Sequence, residues 1–266
     1  MRLRNTTALA MLMTALLAGS AWAGNVYTFS GTLDKTTSGP VLFKAFADGL
    51  KPESIEMILD EEPDETGRVG HIYLDLYGCN LGGVRIDHLE IEAVDVKFTP
   101  PGEWGEKGPD IEKMLAVYAQ ATILEKDVNA AIAGDAFGDD DGNWHDISLD
   151  FRDTGVYVKG YYLSTFLLRL DILIELEGRF GIVGGKQVWL KDYTMRVNRV
   201  DIPDFLTERA ISKIQPIIDL EEFIFPLTLK TVIQKDDRVT LQSRVLPSRF
   251  SGDLYKFRTD TATAAK

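Results

Sequence analysis

Residues 166–177, FLLRLDILIELE, place an apolar side chain at every second position: Phe166, Leu168, Leu170, Ile172, Ile174 and Leu176. The positions between them include Arg169, Asp171, Glu175 and Glu177. Successive strand side chains point to opposite faces, so this segment has one continuous oily face and one wet face. Twelve residues at ~3.3 Å each reach about 40 Å, which predicts an elongated sheet. An apolar sheet face of that length has to be covered.

The same period recurs elsewhere. In FIFPLTLKTVI, 223–233, Phe223, Phe225, Leu227, Leu229 and Ile233 share a parity, and Pro226 on the other parity cannot donate a ladder hydrogen bond. DDRV, 236–239, predicts a turn into VTLQSRV, 239–245, and hence a hairpin. In VRIDHLEIEAVDVKF, 84–98, the apolar parity slips twice, which predicts bulges and strong twist. Further strands are predicted at 55–59, 72–77, 146–151, 155–161 and 187–199, with Asp153-Thr154-Gly155 as a hairpin turn.

Helical spacing is rarer. PDFLTERAISKIQPIIDL, 203–220, sets Leu206, Ala210, Ile214 and Ile217 on one face, flanked by Ile211 and Ile218, with Glu208, Arg209 and Lys213 opposite. Pro203 suits a first turn, and Pro216 predicts a kink or stop. Shorter helices are predicted at 125–133, at 109–119 and near 40–49. The end of the chain, 251–266, reads as a polar, frayed tail after one domain over 24–250.

The N-terminus carries Arg2 and Arg4, an apolar run over 8–18 and Ala21-Trp22-Ala23, the pattern of a cleaved signal peptide over 1–23. The run is too short to span a bilayer as a helix. The expectation is export, most simply to a periplasm. The formal charge of −12 and the absence of a Lys/Arg cluster argue against a nucleic-acid partner and against electrostatic docking on anionic lipid.

Catalytic chemistry finds little support. A single cysteine, Cys79, excludes an intramolecular disulfide and a cysteine-rich metal site, and reads as a small buried hydrophobe. His71, His88 and His145 have no motif around them, and there is no GxSxG nucleophile turn. The acidic run 135–146 fails the EF-hand spacing, because Gly142 at the sixth position would put Phe137 at the first. The glycine pairs at 82–83 and 184–185 lack phosphate-loop context. Neither a catalytic residue, a metal ligand nor a cofactor is assigned.

Three stretches together carry a likeness. They are ATILEKDVNAAI (121–132), GVYVKGYY (155–162) and IPDFLTERAISKIQPIIDLEEFIFPLTLKTVIQKDDRVTLQS (202–243). In order and spacing the chain resembles the LmeA-like phospholipid-binding family of exported bacterial proteins. The resemblance implies an α+β fold of tubular lipid-binding type: a long, strongly twisted, mainly antiparallel sheet wrapped around a long helix in the C-terminal half, enclosing an elongated apolar cavity. It offers no catalytic residues.

On that reading Phe166, Leu168, Leu170, Ile172, Ile174, Leu206, Ile214, Phe223 and Phe225 line an acyl-chain slot. The partner is a phospholipid or other acyl lipid, reached through transient membrane contact, with Trp104 and Phe205 as interfacial aromatics. Periodicity by itself fits a filled core equally well. A structural envelope adaptor with a solid core therefore stays open, as does an envelope hydrolase using a carboxylate pair on a glycolipid or glycan.

Overall fold

The computed structural model describes residues 26–29, 37–81, 83–105, 108–133, 144–164, 169–221 and 223–258. In chain order the elements are β1 (Val26–Phe29), α1 (Ser38–Leu50), β2 (Ser54–Leu59), β3 (Arg68–Leu81), β4 (Val84–Phe98) and β5 (Ile111–Leu124). There follow α2 (Glu125–Ala133), β6 (Trp144–Arg152), β7 (Gly155–Ser164), β8 (Leu170–Val183), β9 (Gln187–Val197) and β10 (Val200–Asp201). The last are α3 (Asp204–Ile211), β11 (Ile218–Asp219), β12 (Leu229–Lys235), β13 (Arg238–Ser243) and β14 (Asp253–Arg258).

The strands make two twisted sheets instead of the single sheet expected. Sheet A runs β1-β14-β2-β3-β4-β5-β13-β12, antiparallel except for the β1–β14 pair. Sheet B runs β10-β9-β8-β7-β6, with β11 added to β9. The sheets meet where β12 packs on β8. Two bonds tie the seam: the Phe180 amide donates to Gln234 Oε1 (3.1 Å) and the Leu229 amide to the Gly185 carbonyl (2.6 Å).

Sheet A has an inner apolar face because its strands alternate. Ile55, Met57 and Leu59 of β2 oppose Leu76, Leu74 and Ile72 of β3, and all six are buried. Leu89, Ile91 and Ala93 continue the face on β4 and Ala119 on β5. The phase slips expected in 84–98 are present. Pairing skips Asp95, which takes φ 50°, and on the facing strand it skips Gly78, whose φ of 67° suits a residue without Cβ. Cys79, next to Gly78, is fully buried, and burial pushes its thiol up to about 11.

The helix that covers this face is α1, not the late one. Leu42, Phe43, Phe46 and Leu50 recur at helical spacing and are buried. Phe43 packs on Tyr255 and Phe29, while Phe46 stacks on Phe225 at 5.5 Å and meets Phe98 edge-on at 6.4 Å. Trp104, expected as an interfacial aromatic, belongs to the same core, packed edge-on to Phe98 with its indole N–H donated to the Thr99 carbonyl (2.6 Å).

Helix α2 sits between the sheets and closes the outer edge of β6. Asn129 Nδ2 donates to the Leu149 carbonyl (2.7 Å) and its Oδ1 accepts from the Leu149 amide (2.8 Å). Glu125 Oε2 accepts from the Phe151 amide (2.8 Å). An otherwise open strand edge is thereby satisfied by side chains.

Four expectations need correction. Residues 111–119 are strand, because β4 pairs with this segment along its length and β13 pairs with its continuation over 120–124. The late helix ends at Ile211, well before Pro216, and its buried residues are Thr207 and Ile211 instead of the Leu206–Ile214 stripe. Residues 223–228 are irregular, and a register shift between Leu229 and Thr231 turns Val232 inward and Ile233 outward. Finally, 253–258 is not frayed: Leu254, Tyr255 and Phe257 form β14 between β1 and β2.

The outer face of sheet A is charged. His88 Nε2 lies 2.8 Å from Asp75 Oδ1 and its ring stacks on Tyr77 at 4.3 Å. The hydrogen bond to Asp75 raises the imidazole above its ordinary value, against partial desolvation. The ion pair therefore adds stability in full below the unfolded-state value near ~6.5, and that stability is lost as pH rises through the folded-state value. His88→Gln is expected to lower unfolding free energy at pH 5.5 by up to about 1 kcal/mol more than at pH 9. Urea titrations of both proteins at the two pH values read this, and an equal loss at both would remove the ion pair as its cause.

Candidate functional site

The inner face of sheet B changes character along its strands. Its first rows belong to the core: Phe151 and Val156 are buried, and Leu149, Val158, Leu176 and Met195 pack against them from four adjacent strands. The next row runs Gly160–Ile174–Val197–Val200 by direct pairing. Ile147 completes it on β6, since a Cβ at Gly160 would stand 3.0 Å from Ile147 Cγ1. Beyond lie Trp144, Tyr162 and Ile172, then Ser164 and Leu170. The Trp144 and Tyr162 rings meet edge-on at 5.4 Å.

These outer rows are apolar but are not part of the packed core. Ile147, Ile172, Ile174, Trp144, Tyr162 and Val197 are half-buried, while Leu170 and Val200 are 54% and 67% exposed. The result is an oily apron that projects past the core. Five strands at about 4.8 Å make it about 19 Å wide, and the four steps from Leu170 to Ile174 make it about 14 Å deep. The opposite face is polar. There His145 Nε2 lies 3.1 Å from Asp171, Tyr157 donates to Glu175 (2.7 Å), and Arg196 approaches Glu175 and Glu177.

The chain leaves β9 at this end and runs back along it through β10 into α3. The β9–β10 hairpin turns through Asn198 and Arg199, both left-handed (φ 49° and 68°), and Asp204 follows three residues after Asp201. Phe205, 67% exposed, and Leu206, 43% exposed, lie on the first turn of that helix. The chain then returns to β9, where Gln215 Nε2 donates to the Leu190 carbonyl (3.0 Å) and the Ile217 amide to the Val188 carbonyl (2.9 Å).

The residues read as a slot divide accordingly. Leu170, Ile172 and Ile174 lie together on the apron. Leu206 is exposed on the first turn of α3, and Ile214, half exposed, follows the end of that helix. Phe223 is half-buried against the core, and Phe225 is wholly inside it, stacked on Phe46. Phe166 and Leu168 lie outside the described residues, as does 134–143 of the acidic run. Sequence reading missed Trp144, Ile147, Tyr162, Val197 and Val200. Their signal was the β6–β7–β8–β9–β10 register, which no single segment contains.

A cleft of about 580 Å³ opens between β9 and α3, lined by residues 189–193 with Asp204, Thr207, Glu208, Ser212 and Gln215. A second, of about 220 Å³, lies over the β7–β8 pair beside Arg152, Glu177 and Arg179. Both are open and mostly polar, so neither is the enclosed apolar cavity expected. Among the described residues no group of three or more His, Cys, Asp or Glu is placed to hold a metal ion.

Comparison with known families decides the assignment. The family described as LmeA-like phospholipid-binding matches residues 65–244, about two thirds of the chain. The chain belongs to the LmeA-like phospholipid-binding family. Searches of curated proteins and of solved structures return no match. The LmeA-like region runs from the turn before β3 to the end of β13, so it holds all of sheet B, the apron and α3. Helix α1, β1, β2 and β14, which close the inner face of sheet A, fall outside it.

Proposed function

We propose that this protein binds phospholipid acyl chains on the apolar apron of sheet B, without catalysing a reaction, as an exported protein of the cell envelope. The observation that carries the reading is the row Ile147–Gly160–Ile174–Val197–Val200, an apolar face that continues out of the core across five strands and is left open there. Membership of a phospholipid-binding family supports a lipid as the molecule that covers it.

The dimensions fit. Half the hydrocarbon core of a bilayer is about 15 Å, and the apron is about 19 Å across. Burying a chain yields about 0.8 kcal/mol per methylene, so ten methylenes contribute about 8 kcal/mol before ordering costs. No cationic clamp is needed for that gain, in keeping with the acidic chain. Phe205 and Leu206, exposed on the first turn of α3, would touch the membrane during loading. Shuttling between membranes and support of envelope glycolipid assembly are uses of the same surface.

Export rests on Arg2, Arg4, the apolar run and Ala21-Trp22-Ala23. N-terminal sequencing of the protein from a periplasmic extract should begin at Gly24. For lipid, the test is native mass spectrometry after purification without detergent, followed by incubation with phospholipid vesicles. Retained or acquired phospholipid mass is expected. Lipid-free protein after both steps would sink the reading.

A further inference from the structure

The cleft between β9 and α3 has a chemistry that the apron does not. Three carboxylates, Asp192, Asp204 and Glu208, line it against one cation, Lys191. They are not close enough together to form a metal site. Thr207 also lines it, is only 4% exposed, and makes no side-chain hydrogen bond among the described residues. Gln215 is held by its Nε2 to the Leu190 carbonyl, and its Oε1 is buried with no partner. Leaving a buried polar group unpaired costs about 1–3 kcal/mol, so such groups mark a site that something else completes.

The three carboxylates outweigh Lys191, so the net charge of this wall is negative, and the Thr207 hydroxyl adds an acceptor beside them. A ligand that fits it donates hydrogen bonds and carries positive charge. An anion would meet three carboxylates with one lysine to offset them. The volume, about 580 Å³, is within the range of small-molecule sites.

We infer that the β9–α3 cleft binds an ammonium-bearing headgroup, of the ethanolamine type, through Glu208, Asp192 and the Thr207 hydroxyl. Phe205 and Leu206 lie one turn or less from Thr207 and Glu208 on α3, so the same helix presents apolar side chains to acyl chains and polar ones to a headgroup. Asp204 has a second role, since a carboxylate in the first turn of a helix stabilises that terminus. Glu208 is the cleaner position to alter. The inference builds on the lipid-binding reading for the source of the amine, but the cleft can be tested without lipid.

The probe is soluble glycerophosphoethanolamine, titrated calorimetrically into the full chain, with glycerophosphoglycerol as the amine-free comparison. Binding of the first and at least tenfold weaker binding of the second is expected. Glu208→Gln, at an exposed position, and Thr207→Val, near-isosteric, should each weaken glycerophosphoethanolamine at least fivefold with unchanged thermal unfolding. Equal affinity for the two probes, or unchanged affinity in both variants, would overturn the inference. Mixed phosphatidylethanolamine and phosphatidylglycerol vesicles supply the second arm. Lipid recovered on the protein should be enriched in phosphatidylethanolamine, and Glu208→Gln should abolish the enrichment while total lipid is retained. Headgroup binding without any lipid uptake would support the cleft and count against the apron alone.

Discussion

Replacing Phe46 with alanine is expected to lower unfolding free energy by about 3–5 kcal/mol, the range for deleting a buried aromatic ring. Phe46 is the pivot of the inner face of sheet A. It is 1% exposed, stacks on Phe225, meets Phe98 edge-on and lies on the helix that covers the sheet. Nothing beside it is free to fill the space, because Phe98 and Phe225 are each held from other sides, by Trp104 and Phe223. Urea unfolding should show a lower midpoint with an unchanged slope. Phe225→Ala should behave alike, and the double variant should fall short of the sum by about 0.5–1.5 kcal/mol, the coupling of an aromatic pair. A loss below about 1 kcal/mol for Phe46→Ala would mean that α1 is not seated on the sheet. Leu115→Ala, at an exposed position, is the control and should change stability by less than about 0.5 kcal/mol.

The second large effect concerns function. Ile174→Asp is expected to reduce phospholipid uptake from vesicles at least tenfold. Ile174 sits mid-row, between Gly160 and Val197, where an acyl chain lying across the strands has to pass. Removing contact with two methylenes already forfeits about 1.6 kcal/mol, and tenfold in affinity is about 1.4 kcal/mol. The charge adds a desolvation cost on the bound state. Leu173→Asp separates lipid contact from folding. Leu173 is the preceding residue on the same strand, but it pairs with Tyr161 on the opposite, polar face. Its substitution should leave uptake within about twofold of wild type. Equal loss in both variants, or none in either, would remove the apron as the lipid surface.

Local patterns carried much of the strand assignment. The parity slips in 84–98 became the Asp95 and Gly78 irregularities, Asp153-Thr154-Gly155 became the β6–β7 turn, and EKDVNAAIA became α2 at its expected bounds. The physical role of Glu125 and Asn129 was not legible, because the strand edge that they cap lies about 20 residues or more downstream. Segment 109–119 misled because Met114, Leu115, Ala116 and Ala119 are good helix formers, yet pairing with β4 decides the conformation. The late helix misled for the opposite reason. Its apolar stripe depended on Ile214 and Ile217, which lie beyond the helix end at Ile211, where the chain turns back so that Gln215 and Ile217 bond β9.

For the candidate site, a single strand supplied Leu170, Ile172 and Ile174 correctly as one face. It could not say which part of that face the rest of the chain covers. That depends on where sheet A ends over sheet B, a property of two sheets whose strands are separated by tens of residues. Phe225 shows the limit from the other side: its parity was read correctly, but the same parity serves a plug as well as a wall.

The place of β14 also bears on how the molecule comes into being. The strand that fills the gap between β1 and β2 is the last in chain order among the described residues, and it brings Tyr255 to the cluster of Tyr27, Phe29 and Phe43. Until residue 258 has emerged, β2 has an unpaired side and α1 has an incomplete bed. Closure of that side of the sheet is thereby deferred to a segment far downstream, so neither β2 nor α1 reaches its final packing on local contacts alone.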